Sequence, residues 1–323
     1  MARVIKTKIT EMLGIQYPIL LGAMQGLTTA ELVAAVSNAG GLGVMATSSF
    51  KNKEELREEI KKCQALTDKP FAVNLTLLPS LGNFDYPGFI EVCIEEGVKV
   101  LETSGRAPAP YMAQIKAGGL KVIHKCTTVK HAKKAESIGC DAVIIDGCEA
   151  GGHIGENDIS SSVLWPAAVD ALSIPVIACG GVADGRGLAA AFIYGCEGAT
   201  VGTRFFLSDE APACAEVKKD VAETATEMDT ILVTRRYTNT ARMLKRGLAV
   251  KIREMEDGGA SFAEVCQYQN QAHMKHLFDT GDFENGILTI GESVGLIHDV
   301  LPVKTIIDNM VSQCLECMGR FEE

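Results

Sequence analysis

Eight short apolar runs, separated by amphipathic stretches, fill the first two-thirds of this 323-residue chain. The runs lie at 18–21, 42–46, 71–76, 98–103, 120–125, 142–146, 175–179 and 199–203. The stretches at 29–38, 53–63, 89–95, 109–117, 129–137, 162–171 and 185–194 carry apolar residues at helical spacing. Such alternation is typical of a parallel sheet covered by helices. Eight units by about residue 205 predict an α/β fold, a closed (β/α)8 TIM barrel. An open doubly wound sheet is the alternative.

The alternation of apolar runs and amphipathic stretches ends after Arg204. Residues 211–280 are polar and helical in pattern, with no convincing strand, and 286–300 and 304–319 are predicted as two further helices. We therefore expect three parts: a barrel over 1–210, a small helical insertion over 211–280, and C-terminal helices over 281–323 that complete the outer layer. The insertion fits a lid over the barrel, a homodimer contact, or both.

Composition narrows the class of protein. Hydrophobic residues make up 47% of the chain and charged residues 22%, as in a packed globular protein. The net charge of −10 argues against nucleic-acid binding, because phosphate contacts need clustered Lys and Arg. No apolar run is long enough for membrane insertion, and no signal-peptide core opens the chain. We expect a cytoplasmic protein that acts on a small molecule.

Eleven cysteines are scattered through apolar segments, which favours free thiols in a reducing compartment over a disulfide framework. Cys314 and Cys317 form a lone C-x-x-C near the C-terminus. A metal or redox role would need a partner pair or a βαβ context, and neither is visible in the sequence. We expect no metal site.

In a barrel of this kind the active site lies at the C-terminal ends of the strands. The seventh run ends in Gly180 and Gly181, and the eighth ends in Gly202 and Thr203. Glycine turns let backbone N–H groups approach a phosphate, and a helix N-terminus beyond the turn adds a favourable dipole. Because barrels often hold phosphate in these two loops, the pair predicts a phosphate site. The alternative is a pair of tight βα connections.

A glycine-rich loop over 147–155 follows the sixth run and carries one histidine, His153. The flexible backbone of such a loop could lie against a planar ligand. A histidine at a strand end is suited to general acid–base chemistry, because its pKa lies near neutrality. The alternative is a loop histidine tied to a neighbouring carboxylate.

The fifth run ends in His124 and Lys125, and alternation along a strand sends only one of them into the barrel mouth. A buried lysine needs an anion, and the N1–O2 region of a reduced flavin would supply one. Asn74, at the end of the third run, can donate and accept, which suits the edge of a flavin pyrimidine ring. An outer-layer salt bridge for Lys125 and a loop hydrogen bond for Asn74 are the alternatives. Small residues after the first run would let a flat ring stack closely, whereas Met24 would look the same in a plain core.

No G-x-G-x-x-G follows the first run, and P-loop, H-E-x-x-H and G-x-S-x-G motifs are absent from the sequence. A Rossmann-type nicotinamide site is therefore not expected. NAD(P)H would instead bind over the flavin at the barrel mouth.

Taken together, these segments resemble the nitronate monooxygenase (2-nitropropane dioxygenase-like) family of FMN barrels. The resemblance covers nearly the whole chain and rests on residues 17–19, 38–43, 150–153, 180–185 and 201–205. Members of that family oxidise nitronates with O₂, reduce quinones with NADH, or reduce enoyl groups of acyl-carrier-protein thioesters.

Within the family, residues 74–79, 122–127 and 238–242 and the pair Met24-Gln25 are most similar to the NADH:quinone reductase branch. Two features depart from that branch. It usually has a tryptophan where this chain has Gly26, so the mouth should be wider here. The loop over 150–155 is closer to enoyl-ACP reductase II.

The resemblance implies an FMN-dependent oxidoreductase that uses NAD(P)H to reduce a quinone or electron-poor alkene through flavin N5. Nitronate monooxygenase and enoyl-ACP reductase are the alternative activities, and a regulatory flavin-binding protein is the non-enzymatic one. By resemblance, His153 and Lys125 are the catalytic candidates. The implied cofactor-binding residues are Gly22, Ala23, Met24, Asn74, Lys125, Asp146, Gly151, Gly152, Gly180, Gly181, Gly202 and Thr203.

Overall fold

The predicted barrel is present and closes on itself in the computed structural model, which describes residues 5–77 and 84–320. Its eight parallel strands are β1 (Ile19–Leu21), β2 (Gly43–Ala46), β3 (Phe71–Leu77), β4 (Val100–Gly105), β5 (Lys121–Cys126), β6 (Ala142–Asp146), β8 (Val176–Cys179) and β9 (Ala199–Val201). β9 returns to pair with β1, and a parallel bridge between Leu20 and Leu42 joins β1 to the second strand. The open doubly wound alternative is thereby excluded. Residues 1–4, and Leu78 and Pro79 of the 74–79 segment, lie outside the described residues.

An outer ring of helices covers the barrel. Its members are α2 (Ala30–Asn38), α3 (Lys53–Leu66), α4 (Tyr86–Glu95), α5 (Met112–Ala117), α6 (Val129–Ser137), α7 (Ser161–Ala171), α8 (Gly185–Ile193) and α14 (Val303–Gly319), and α1 (Lys8–Leu13) precedes β1. α14 packs between α8 and α2, so the predicted C-terminal helix completes the layer. Gly43 shows how tightly the layers meet. A Cβ there would lie 2.1 Å from the carbonyl oxygen of Val33 in α2.

The segment between β9 and α14 has its own apolar core beside the barrel core. It contains α9 (Thr203–Phe206), α10 (Ala215–Thr224), β10 (Thr230–Val233), β11 (Ala241–Leu244), α11 (Gly247–Asp257), α12 (Phe262–Cys266) and α13 (Gln271–Thr280). Its core includes Val217, Val233, Leu248, Ile252 and Phe278, all of which are buried.

The prediction that residues 211–280 hold no strand is wrong. β10 and β11 form an antiparallel sheet whose third strand, β7 (Gly152–His153), belongs to the loop after β6. β10 and β11 have four residues each and β7 has two, too short to show a period. The pairing of β7 with β11 joins segments about 90 residues apart, and no local pattern reports such a partner.

The predicted helix over 286–300 is also wrong. The chain here bridges β11 through Thr289 and then makes a short 3-10 helix, Glu292–Leu296. Glycine explains the difference. Gly286 packs so closely on α13 that a Cβ would lie 2.5 Å from the Cβ of Leu277. The eighth barrel strand also ends earlier than predicted, at Val201, and Thr203 begins α9.

Two further observations concern the chain as a whole. All eleven cysteines are unpaired, including Cys314 and Cys317 in α14. Over the ranges 5–77 and 84–320, no helix combines the length and the apolarity that crossing a bilayer requires.

The outward-facing residue of β5, His124, predicts a pH dependence of stability. Its ring is 3% exposed, its Nδ1 lies 2.8 Å from the Thr103 hydroxyl, and burial lowers its pKa to about 4. An unfolded histidine titrates near pH 6.5. Because the folded pKa is the lower one, stability is full above about pH 6.5 and falls as the pH drops toward 4, by up to about 3 kcal/mol.

We therefore expect the stability of His124→Gln, measured by urea unfolding, to fall less steeply between about pH 6.5 and 4 than that of the wild type. This holds even if the variant is less stable at neutral pH. His298→Gln, at an exposed position before α14, should keep the wild-type slope. An unchanged acid limb in His124→Gln would show that another group is responsible.

Candidate active site

Polar side chains line the inside of the barrel on four neighbouring strands. Asn74 lies on β3, Glu102 on β4, Lys125 on β5 and Asp146 on β6. Strand register sends all four inward, so the choice between His124 and Lys125 is settled in favour of the lysine. Asn74, Glu102 and Asp146 are 2%, 1% and 5% exposed. The mouth of an otherwise apolar barrel thus carries a buried charged cluster.

Lys125 and Glu102 are the centre of this cluster. The ammonium lies 3.7 Å from Glu102 Oε1, and the same oxygen accepts a hydrogen bond of 2.8 Å from Asn74 Nδ2. Burial lowers the pKa of Lys125, but Glu102, Cys179 and Asp146 raise it by more, so the ammonium stays charged. Burial raises the pKa of Glu102 against the opposing effect of Lys125. The outer-layer salt bridge considered for Lys125 is not formed, since its partner lies inside the barrel.

Several polar atoms inside the barrel have no partner among the described residues. They are Glu102 Oε2, Asp146 Oδ1 and Thr200 Oγ1, all fully buried. Burial raises the pKa of Asp146, with Lys125 opposing. Cys179 pairs in register with both Asp146 and Thr200, which places these three on the inner wall. Because buried polar groups in proteins are normally hydrogen-bonded, this wall has capacity for a polar ligand.

The two glycine turns follow the adjacent strands β8 and β9, and the turn after β9 lies next to the end of the first strand. Gly180 and Gly181 have φ of 93° and 73°, in the left-handed region, and a Cβ at Gly181 would meet no atom within 4 Å. A Cβ at Gly22 would lie 3.1 Å from the Cα of Gly202. Within the described ranges, the N–H groups of Gly181 and Gly202 donate to no other group. These turns therefore present free donors and room for a phosphate.

Two side chains next to these glycine turns, Thr203 and Asp184, affect how the turns could bind a phosphate. Thr203 Oγ1 accepts from the N–H of Gly291 at 3.0 Å, which leaves the hydroxyl proton available to a ligand. The expected help from the α8 N-terminus is reduced, because the Asp184 side chain already accepts from the N–H groups of Arg186 and Gly187. Phosphate binding by Gly180, Gly181, Gly202 and Thr203 stays a prediction.

The His153 loop is pinned by the insertion, which differs from the flexible backbone that its glycines predict. His153 pairs with Ala241 through the small antiparallel sheet. Glu156 accepts from the Thr240 N–H and hydroxyl, and Asp158 pairs with Arg235. Gly151 packs so closely on the 286–300 segment that a Cβ would lie 2.6 Å from the carbonyl carbon of Ile290.

His153 itself has an exposed side chain, and no hydrogen bond holds its ring among the described residues. The protein around it lowers its pKa, and Glu156 partly opposes that effect. A ring that is open to solvent yet surrounded by protein lies in a concave site. The carboxylate tie considered as an alternative is not formed, so His153 is neutral and accessible near pH 7.

Two further candidates, Ala23 and Met24, follow strand β1. Both are partly buried, and Met24 packs against both apolar cores. A Cβ on Gly202 would come 3.7 Å from Met24 Sδ, so this methionine lies next to the glycine turn after β9. Gly26 has φ of 72°, a conformation strained for tryptophan. Gly152 also has a positive φ, of 80°.

Sequence reasoning missed Glu102, Cys179 and Thr200. Glu102 is a single carboxylate within the apolar run 98–103, and that exception could have marked it. Cys179 and Thr200 carry no such signal, because either residue type is ordinary in a strand.

The comparisons with known proteins, by family model, by sequence and by structure, point to the same family. A profile described as nitronate monooxygenase matches residues 6–313. A Rhodococcus jostii protein named (3aS,4S,5R,7aS)-5-hydroxy-7a-methyl-1-oxo-octahydro-1H-indene-4-carboxyl-CoA dehydrogenase is 32% identical, with 97% of this chain and 96% of that protein covered. A probable nitronate monooxygenase of Staphylococcus saprophyticus is 33% identical, with 98% and 99% covered. The solved structure of FabK from Thermotoga maritima is 36% identical, has a TM-score of 0.91 and is covered over 98% of both chains.

Lys125→Gln tests the buried cluster. Removing the ammonium leaves Glu102 and Asp146 without their cation, and breaking a buried pair typically costs about 3 kcal/mol. The carboxyls can then take up protons, so the loss of stability should be larger at about pH 8 than at about pH 5.5. Urea unfolding at both pH values measures it. Lys121→Gln on the same strand, an exposed lysine paired with Asp141, should change stability by less than about 1 kcal/mol. Equal losses in the two variants would contradict this account of the cluster.

Proposed function

This chain belongs to the nitronate monooxygenase family of oxidoreductases, and on that premise we propose that it is an FMN-dependent, NAD(P)H-using reductase. Its acceptor would be an alkene made electron-poor by a conjugated carbonyl, as in a quinone or an enoyl thioester. The observation that carries the proposal is the charged Lys125 ammonium, held inside the mouth by Glu102 and Asn74.

The residues present fit FMN on two counts. The turns at Gly181 and Gly202 offer free N–H donors and open space suited to the phosphate. Asp146 and Thr200 offer unpartnered polar atoms on the inner wall. Bound FMN would supply hydride transfer between a reduced nicotinamide and the acceptor.

Lys125 has a defined electrostatic task in this proposal. Its ammonium would hold negative charge that develops on the pyrimidine side of the ring system. Such charge stabilisation is strongest from a preorganised group in a site that excludes water. Glu102 holds the ammonium and Asn74 in turn holds Glu102, so little reorganisation is needed when charge appears.

His153, on the loop after β6, would act on the acceptor at the barrel mouth. The small sheet orients its ring, and the N–H of the neutral imidazole would donate a hydrogen bond to the acceptor carbonyl oxygen, stabilising the negative charge that develops there as hydride arrives. The nearby Glu156 is tied to Thr240, which leaves the histidine free for the substrate.

Two observations favour a thioester among the conjugated acceptors. The Rhodococcus relative is named as the dehydrogenase of a carboxyl-CoA compound, and the loop over 150–155 resembles that of enoyl-ACP reductase II. Gly26 also lacks a side chain at the mouth, which makes room for a bulkier substrate.

Nitronate oxidation with O₂ is the second candidate. It is supported by the staphylococcal relative and by the depressed pKa of His153, since a neutral imidazole can serve as a base toward a nitroalkane. This activity predicts oxygen consumption with propionate-3-nitronate and little flavin reduction by nicotinamides.

An anaerobic stopped-flow experiment tests the proposal. NADH or NADPH should bleach the flavin absorbance band, and an added quinone or crotonyl thioester should restore it. A flavin that neither nicotinamide bleaches at a useful rate would contradict the proposal. If nitronate then consumes oxygen, the second candidate is favoured.

His153→Ala should slow the acceptor step by about 10²-fold, because removing one positioned hydrogen-bond donor to a developing oxyanion typically costs that much or more. Bleaching by the nicotinamide should change little. His131→Ala, an exposed histidine on α6, is the matched control and should leave both steps unchanged. Wild-type acceptor reduction in His153→Ala would remove the proposed role of this residue.

A further inference from the structure

Three arginines converge on a cavity in the insertion, outside the barrel mouth. The cavity has a volume of about 280 Å³ and is lined by Arg235, Arg236, Arg253, Glu256 and Asp257. The chain as a whole carries a net charge of −10, whereas this lining has three guanidinium groups against two carboxylates. A local excess of positive charge in an acidic chain suits an anionic ligand.

The backbone that presents two of these arginines is strained. Thr234 and Thr238 have φ of 58° and 52°, and they flank the 3-10 helix Arg235–Tyr237. A left-handed conformation is unfavourable for a β-branched residue and persists only where surrounding structure imposes it. Strain of this kind clusters at binding sites and switches.

Glu256 imposes the conformation. It is 3% exposed, and its two carboxylate oxygens accept from the backbone N–H groups of Thr234 and Arg236. Tyr237 adds a hydrogen bond from its hydroxyl to the Ala260 carbonyl. Both oxygens of Glu256 are therefore engaged with the turn. Its role is to fix the arginines in place.

Arg236 is the guanidinium most available to a ligand. It has no carboxylate partner in the described part of the chain, and its side chain reaches only the Glu256 carbonyl, at 3.3 Å. Arg235 pairs with Asp158 and Arg253 with Asp257, each through two guanidinium nitrogens. Both pairs are exposed, so a dianionic phosphate that offers two oxygens to a guanidinium fork would exchange with these carboxylates, whereas Arg236 needs no exchange.

The cavity is connected to the mouth. Arg236 lies five residues before Ala241, the strand partner of His153, and therefore at most about 18 Å of chain away. Arg235 reaches Asp158 in the His153 loop itself. A phosphate bound here would sit at a distance from the reacting atoms. That is where nicotinamide nucleotides and CoA thioesters carry phosphate.

We propose that Arg235, Arg236 and Arg253 form a subsite for the ribose phosphomonoester of an adenosine nucleotide. This proposal rests on the proposed function, since that reaction uses ligands of this kind. NADPH carries such a phosphate on the 2′ oxygen and CoA carries one on the 3′ oxygen. The shared chemistry is a dianionic phosphate on an adenosine ribose, read by three guanidinium groups.

Calorimetric titration tests the subsite without turnover. The probes are adenosine 2′,5′-bisphosphate, adenosine 3′,5′-bisphosphate and 5′-AMP, added to the full chain saturated with FMN so that its phosphate site is filled. At least one bisphosphate should bind about tenfold or more tighter than 5′-AMP. Tighter binding of the 2′,5′ isomer indicates NADPH, and tighter binding of the 3′,5′ isomer indicates CoA.

Arg236→Gln should abolish most of that preference, and Arg253→Gln should reduce it and serves as the second variant if the first does not fold. Lys219→Gln removes the same charge from an exposed position on α10 and should keep the preference. The inference is overturned if neither bisphosphate binds tighter than 5′-AMP, or if the arginine variants keep the wild-type preference. Failure here with flavin reduction by nicotinamide intact overturns the subsite alone, and the converse overturns only the proposed function.

Discussion

The buried ammonium of Lys125 is the interaction on which the inside of this barrel depends. It lies 3.7 Å from one oxygen of Glu102, while the other oxygen, and one oxygen of Asp146, have no partner in the described chain. Without the cation, two carboxyls would be buried on the strands that flank β5, with nothing to offset the cost. Such a cluster is a poor way to stabilise a core, since apolar residues would serve as well. The cluster is instead suited to form the wall of a site that binds a polar ligand.

The insertion has a structural task at the same mouth. Through β11 it adds a strand to the His153 loop, and Arg242 donates to the Cys148 carbonyl while pairing with Glu292. The 286–300 segment then passes under Gly151 and donates from Gly291 to Thr203. One stretch of chain thus orients the histidine and contacts the phosphate turn. The His153 loop and the Gly202-Thr203 turn, the two candidate parts of the site, are therefore joined through the segment between β9 and α14.

The barrel was predictable because strands buried on both faces give apolar runs that any local pattern shows. The inward choice of Lys125 over His124 needed the register, which depends on neighbouring strands. The small sheet was not predictable, since Gly152 and His153 acquire their partner only from Ala241 and Arg242, about 90 residues away. The helix prediction for 286–300 failed because the apolar residues of this segment are buried in the second core without forming a continuous helix. Charged residues inside apolar runs, as at Glu102, were the signal that could have extended the site.

The central claim is that the turns at Gly180-Gly181 and Gly202-Thr203 hold the phosphate of FMN above this cluster. The most direct measurement is a fluorescence titration of cofactor-free protein with FMN, riboflavin and FAD. The account predicts that FMN binds at least about 100-fold tighter than riboflavin, since the two differ only in the phosphate and charge-assisted hydrogen bonds are individually strong. Equal affinity for FMN and riboflavin, or no binding of any flavin, would contradict it.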